Sequence, residues 1–221
     1  STVAGVPMFL LFVYSWLNFR KNKGIAVWSS LALILLLAEA WLGKLVVDGN
    51  LIPNQITIHM LGALLVLVVL VVIIEKTRTS EPSKAPDSVK ALLALLASLF
   101  FIQMLLGTQV REQVDAIYKE MNGENRDQWI GMLDFKVLIH RSFSWTSLLM
   151  AGWIYYKSKK ENFKVDHIKS ILVLILTLGA TGALLYYLAL PLLLQPVHLL
   201  ISSFLLSLLF QSLIRINKVI R

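Results

Sequence analysis

Three histidines, His59, His140 and His198, each follow the start of a long apolar run by a turn or two, and the charges flanking those runs place all three near one membrane face. Imidazole is costly in hydrocarbon without a partner, so an intramembrane histidine is by default a functional-site hypothesis. Three at one depth point to metal or heme. Cysteine is absent, which removes thiolate ligands, disulfides and iron–sulfur clusters and leaves histidine as the best soft ligand. Iron in heme or copper remains.

The elements that must position these side chains are membrane helices. The chain has 221 residues, is 57% hydrophobic and has a mean hydropathy of +0.72, more apolar surface than a soluble domain of this length can bury. Apolar stretches of bilayer-crossing length recur at about 2–18, 25–43, 54–74, 90–108, 135–156, 168–190 and 192–214. They are continuous Leu/Val/Ile runs without the alternation of barrel strands. The expected fold class is therefore an all-α integral membrane protein with seven transmembrane helices.

Lys and Arg exceed Asp and Glu by eight, and their placement gives the topology. Arg20, Lys21 and Lys23 follow the first span, Lys76, Arg78, Lys84 and Lys90 the third, and Lys157, Lys159, Lys160, Lys164 and Lys169 the fifth; Arg215, Lys218 and Arg221 close the chain. The opposite loops are poor in cations, and the one after the fourth span is acidic, with Glu112, Asp115, Glu120, Glu124, Asp127 and Asp134. The positive-inside rule puts the C-terminus in the cytoplasm and the N-terminus outside. His59, His140 and His198 then lie toward the outer, periplasmic side, while His167 falls in the cytoplasmic lysine-rich loop and reads as a solvated histidine. An outside N-terminus that enters a helix at once, with no initiator Met and no signal peptide, predicts at least one helix before Ser1, for a natural total of eight.

An internal repeat refines the architecture. Gly43 precedes His59 by sixteen residues and Gly182 precedes His198 by sixteen, with Pro53 and Pro191 just before the respective histidine helices. Glu39 and Gln103 stand four residues before Gly43 and Gly107, on the same helix face; span six has Leu178 at that place. Two related bundles follow. Residues 1–74 form the remainder of an N-terminal bundle (three helices), 75–89 a cytoplasmic linker and 90–221 a complete C-terminal four-helix bundle.

In the complete bundle His140 and His198 lie on alternate helices, which can face each other across the core where bundles hold cofactors. A heme between them would be six-coordinate and suited to electron transfer. Arg141 beside His140 and Arg111 at the outer end of the fourth span stand where cations should be scarce, and a guanidinium pairs a heme propionate through two charge-assisted hydrogen bonds. His59 matches His198 by the repeat. Glu39 is the other intramembrane ionisable group, read as interhelical glue because its counterpart Gln103 cannot ionise; proton handling is the alternative. Trp28, Trp41, Trp129, Trp145 and Trp153 read as interface or packing aromatics. No phosphate loop, hydrolase triad, zinc-binding helix motif or nucleic-acid module is present, and the lysines are accounted for by topology.

The segment Ala-Trp-Leu-Gly43-Lys-Leu-Val-Val-Asp-Gly-Asn-Leu-Ile-Pro53-Asn-Gln-Ile-Thr-Ile-His59, with Leu-Gly107-Thr-Gln-Val-Arg111-Glu-Gln-Val-Asp115 and Ile-His140-Arg141, resembles the heme A synthase family, especially its Bacteroidetes-type members, over all 221 residues. The resemblance implies eight helices in two pseudosymmetric four-helix bundles. It implies oxidation of the C8 methyl of heme O to the formyl of heme A by successive hydroxylations, for cytochrome oxidase biogenesis. It makes His140 and His198 the axial ligands of a heme B cofactor that relays electrons, and His59 a ligand of the substrate heme O. The family's glutamate motif would lie upstream of Ser1, so the catalytic residue is left open, with Glu39 a candidate, and the fragment alone is expected to be inactive. Implied partners are heme O synthase, a quinone or other electron acceptor, the lipid bilayer and, in some assemblies, a second copy of the chain. The implied location is the bacterial inner membrane.

Two other classes fit the residues: a bis-histidine membrane cytochrome exchanging electrons with quinone, and a heme-free transporter or assembly scaffold whose histidines only pack. Heme content separates the scaffold from the others. A retinal receptor is disfavoured, because the last span has no buried lysine.

Overall fold

The computed structural model describes residues 2–19, 22–49, 55–81 and 83–217. Arg20, Lys21, Pro53, Lys218 and Arg221, used above for topology and for the repeat, lie outside them. Among the described residues there is no strand. The helices are α1 (Thr2–Leu17), α2 (Lys23–Asp48), α3 (Gln55–Thr77), α4 (Asp87–Glu120), the short α5 (Trp129–Met132), α6 (Lys136–Lys160), α7 (Ile168–Tyr187) and α8 (Leu194–Asn217). Five of them, α2, α3, α4, α7 and α8, are long and apolar enough to cross a membrane. The 16-residue α1 is too short for that test. The 25-residue α6 is long enough but too polar.

The chain divides into two compact units, residues 1–81 and 82–221. In the first, α1 packs on α2 and α2 on α3. Ala26, Ser29 and Ala32 are completely buried on α2; such small residues let helix backbones approach where lipid supplies no hydrophobic drive. Met8, Val66, Val69 and Ile73 close the core around Ala32. Asn22 starts α2 by accepting the Ile25 N–H at 3.2 Å, which satisfies one of the orphan donors of the first turn.

In the second unit α4, α6, α7 and α8 form a closed ring of neighbours, α4 against α6, α6 against α7, α7 against α8 and α8 against α4. That order leaves α6 and α8 facing each other across the core. Leu93, Leu96, Ile154, Ile171, Leu205 and Leu209 fill it.

α4 departs from the sequence expectation. The apolar run ends near residue 108, yet the helix continues to Glu120, so Glu112, Asp115 and Glu120 are helical and not in a loop. The reason is amphipathicity: Val114 and Ile117 keep an inward apolar face and pack against Trp129 and Leu190, while Arg111 and Asp115 pair one turn apart at 2.8 Å. A 34-residue helix is roughly 50 Å long.

The same end of this unit holds the α7–α8 turn, where Ala189 (φ 51°) and Leu190 (φ 59°) both adopt the left-handed conformation, a costly one for residues with a Cβ. Arg126 secures it. Its guanidinium donates to the carbonyls of Ala189 (2.8 Å) and Leu190 and stacks 5.1 Å from the Trp129 ring. Arg126→Ala should therefore cost about 1.5–3 kcal/mol, the usual range for hydrogen bonds to a charged group. Faster hydrogen exchange confined to residues 186–195 would show it.

At the opposite end, Asp166 sits between three separate segments. It accepts from Ser83 at 2.7 Å and from Arg215, and Lys164 lies 3.3 Å away; Ser212 donates to its backbone carbonyl at 2.7 Å. Asp166 is 7% exposed and Arg215 1%. Burial alone would raise the Asp166 pKa, but the hydrogen bonds from Arg215 and Ser83 and the nearby charges hold it at about 2. A carboxylate depressed in the folded state stabilises above its unfolded pKa, and loses that contribution as pH falls through the folded value. The unit should lose about 2 kcal/mol between roughly pH 4 and pH 2, read as a fall in its detergent-solution melting temperature that Asp166→Asn removes.

His167, next to this cluster, differs from expectation. It is half-buried, not solvated, because its left-handed backbone (φ 62°) makes the sharp entry into α7, where its carbonyl accepts the Ile171 N–H.

Candidate functional site

Three helices carry the histidines at one register. His59 is the fifth residue of α3, His140 the fifth of α6 and His198 the fifth of α8, each roughly 6 Å past the first residue of its helix. Each imidazole also rests on a glycine of the preceding long helix. A Cβ on Gly43 would stand 3.2 Å from Cε1 of His59, one on Gly107 3.3 Å from Cε1 of His140, and one on Gly182 3.5 Å from Cε1 of His198. The glycine–histidine spacing in the sequence is thus a contact: an absent side chain makes the seat for a ring.

Each Nδ1 atom stands against a different group. His140 Nδ1 lies 3.0 Å from the backbone carbonyl of Gln103. A carbonyl only accepts, so Nδ1 carries the proton. His198 Nδ1 lies 2.8 Å from the Thr181 hydroxyl, which also lies 3.2 Å from the Leu178 carbonyl; when Thr181 donates to Leu178, it accepts from Nδ1. The neutral His140 ring is thus left with an unprotonated Nε2, the form in which imidazole binds iron, and His198 matches it in the tautomer that donates to Thr181. In the first unit His59 Nδ1 stands 2.7 Å from Glu39 Oε2. The approach is too oblique for an aligned hydrogen bond, and neither atom has another hydrogen-bond partner.

The polar residues four before the glycines reach toward the histidine helices. Gln103 donates to Ser144 Oγ at 2.6 Å and to the His140 carbonyl at 3.3 Å, and accepts from Ser147 at 3.3 Å, tying α4 to α6. Glu39, buried on α2, contacts His59 itself. It thus ties α2 to α3, as the glue reading expected. Arg111 is held by Asp115, and Arg141 lies 5.4 Å from the Tyr186 ring; both side chains are exposed. Thr181 and Gly62 belong to the site and were not singled out from the sequence. Each had a signal, Thr181 next to the seat glycine and Gly62 one turn after His59.

Among the described residues there is no group of three or more His, Asp or Glu able to cage a bare metal ion. Iron in a porphyrin brings four nitrogens of its own and asks the protein only for axial ligands. His140 and His198, on facing helices with each Nδ1 turned to a partner in the protein, fit that demand.

The sequence model of the COX15-CtaA family, described as cytochrome oxidase assembly protein, matches residues 1–210. No curated protein and no solved structure matches the chain.

Proposed function

Because the chain belongs to the COX15-CtaA family of cytochrome oxidase assembly proteins, we propose that it is a heme A synthase, oxidising the C8 methyl of heme O to a formyl group. The observation that carries this reading is the pair His140 and His198, each held through Nδ1 on facing helices of the second unit. In this reading α1 and α6 also cross the bilayer, making seven spans. The lysine-rich α6–α7 connection is cytoplasmic, and the histidines lie toward the periplasmic side of the bacterial inner membrane.

His140 and His198 would hold heme B, which when bound supplies one-electron redox chemistry. The Gln103 carbonyl and the Thr181 hydroxyl orient the two rings, and Gly107 and Gly182 leave room for them. Arg111 and Arg141 are assigned to the propionates, Arg111 exchanging Asp115 for the new anion and Arg141 reaching from its place over Tyr186. His59 is the ligand of the substrate heme O in the first unit. The methyl is oxidised in two successive two-electron steps in which water supplies the formyl oxygen, and the four electrons and four protons leave, the electrons to a quinone or another acceptor. Heme O synthase is the natural donor of the substrate.

The test is the oxidised and reduced absorption spectrum of the purified chain with a pyridine hemochrome assay. Wild type should show a low-spin, bis-histidine heme B, lost in His140→Ala and in His198→Ala but kept in His59→Ala. A folded chain that stays heme-free when heme is supplied defeats the proposal and leaves the heme-free scaffold. A heme B signal with no conversion of added heme O by the whole protein leaves the cytochrome.

A further inference from the structure

The three histidines are equivalent in register and in their glycine seats, but not in what stands behind Nδ1. His140 and His198 face neutral acceptors, a backbone carbonyl and a hydroxyl. His59 faces a carboxylate. The way that carboxylate is housed is itself unusual. Glu39 is 6% exposed, with Oε2 toward His59 and Oε1 lying 1.8 Å from where a Cβ on Gly62 would be. His59 and Gly62 are three residues apart and so share one face of α3. Only with glycine at 62 can the carboxylate lie in that notch beside the ring. Oε2 of Glu39 and Nδ1 of His59 are both buried and without an aligned hydrogen-bond partner, yet they stand 2.7 Å apart, so a small rotation that aligns them would offset the desolvation of each.

Resting on the heme reading of His59 above, we infer that Glu39 is a positioning residue: its carboxylate, admitted by Gly62, accepts a hydrogen bond from Nδ1–H of His59 and presents Nε2 to the iron of the substrate heme. A carboxylate behind a ligating imidazole fixes its tautomer and raises its basicity, and loss of such a partner typically weakens metal binding by about 10- to 100-fold. The two units then offer iron different ligands, neutral-backed in the second and anion-backed in the first. The first unit's site therefore favours ferric heme more strongly than its register alone would indicate.

The test has a heme-free arm and a heme arm, both on the whole chain in detergent. In the first, ¹⁵N-histidine NMR of the heme-free protein should show His59 with Nδ1 protonated and strongly hydrogen-bonded. That signature should be lost in Glu39→Gln, and also in Gly62→Ala, which keeps the carboxylate but closes its notch. In the second, heme titration should resolve a class of site abolished by His59→Ala. Glu39→Gln should weaken that class by about tenfold or more and raise its reduction potential, with Glu39→Asp recovering part of both, while the His140–His198 spectrum stays unchanged. A His59 ring protonated on Nε2 in wild type, or a Nδ1 signal indifferent to Glu39→Gln and Gly62→Ala, overturns the assignment. So does an unchanged affinity and potential in Glu39→Gln. If His59→Ala alters no heme class while the NMR signature behaves as expected, the dyad stands and the heme reading of His59 is what fails.

Discussion

Arg215→Met should destabilise the second unit by about 3 kcal/mol, the lower end of the cost of breaking a buried ion pair by removing one partner. Arg215 is 1% exposed and donates to Asp166, which is itself buried and is held in addition by Ser83 and Lys164. Taking away the guanidinium leaves most of a negative charge in a site with little water, so the penalty is the stranded carboxylate and not only the lost contact. Asp166→Asn in the Arg215→Met background should recover much of the loss, because a neutral amide can keep the Ser83 contact without charge. Thermal or dodecyl-sulfate unfolding of the detergent-solubilised chain, followed by helical circular dichroism, measures all three variants. Equal melting of wild type and Arg215→Met would show that the pair contributes nothing. The cluster joins the segment before α4, the α6–α7 connection and the last turn of α8, so its rupture should loosen one end of the unit and spare the histidines at the other.

On the heme reading proposed for His140 and His198, Gly107→Val is expected to lower heme B occupancy at least tenfold, about the scale of loss when the support of a metal-ligating histidine is removed. A Cβ at 107 already stands 3.3 Å from Cε1 of His140, and the two methyl groups of valine would lie where the ring now is. The imidazole would swing away, breaking its bond to the Gln103 carbonyl and freeing the tautomer. Gly179 is the control. It also lies in a long helix, α7, but has open space where a Cβ would go, so Gly179→Ala should bind heme as wild type does and gain up to about 1 kcal/mol from helix propensity. Hemochrome yield per mole of folded protein decides; equal yields from Gly107→Val and Gly179→Ala would remove the seat from the site.

Much of this was legible in the sequence because it was periodic. The apolar runs gave the long helices to within a few residues at most ends, and the sixteen-residue Gly43–His59 and Gly182–His198 spacings marked contacts that the structure contains. What escaped depended on partners distant in the chain. The extension of α4 to Glu120 is stabilised by Trp129 and Leu190, which no local pattern around residues 109–120 announces. The acidic residues there looked like a loop because half of each helical turn is polar. Thr181 reads as one hydroxyl among many until His198 is placed against it, and Gly62 as an ordinary small residue of a membrane helix until Glu39 arrives from α2. Glu39 itself was read through its counterpart Gln103, and the two diverge: the amide knits helix to helix, whereas the carboxylate meets the ring.

The engaged Nδ1 atoms have a consequence for the order of assembly. Zinc fingers and similar small metal sites gain their shape from the ion, so that folding waits for it. Here His140 and His198 take their orientation from a carbonyl and a hydroxyl, and their space from glycines, all supplied by the polypeptide. On the heme reading proposed above, the orientation of these two rings would not wait for the heme. In that reading heme binding would add little ordering cost of its own, and the second unit should melt cooperatively with or without heme supplied.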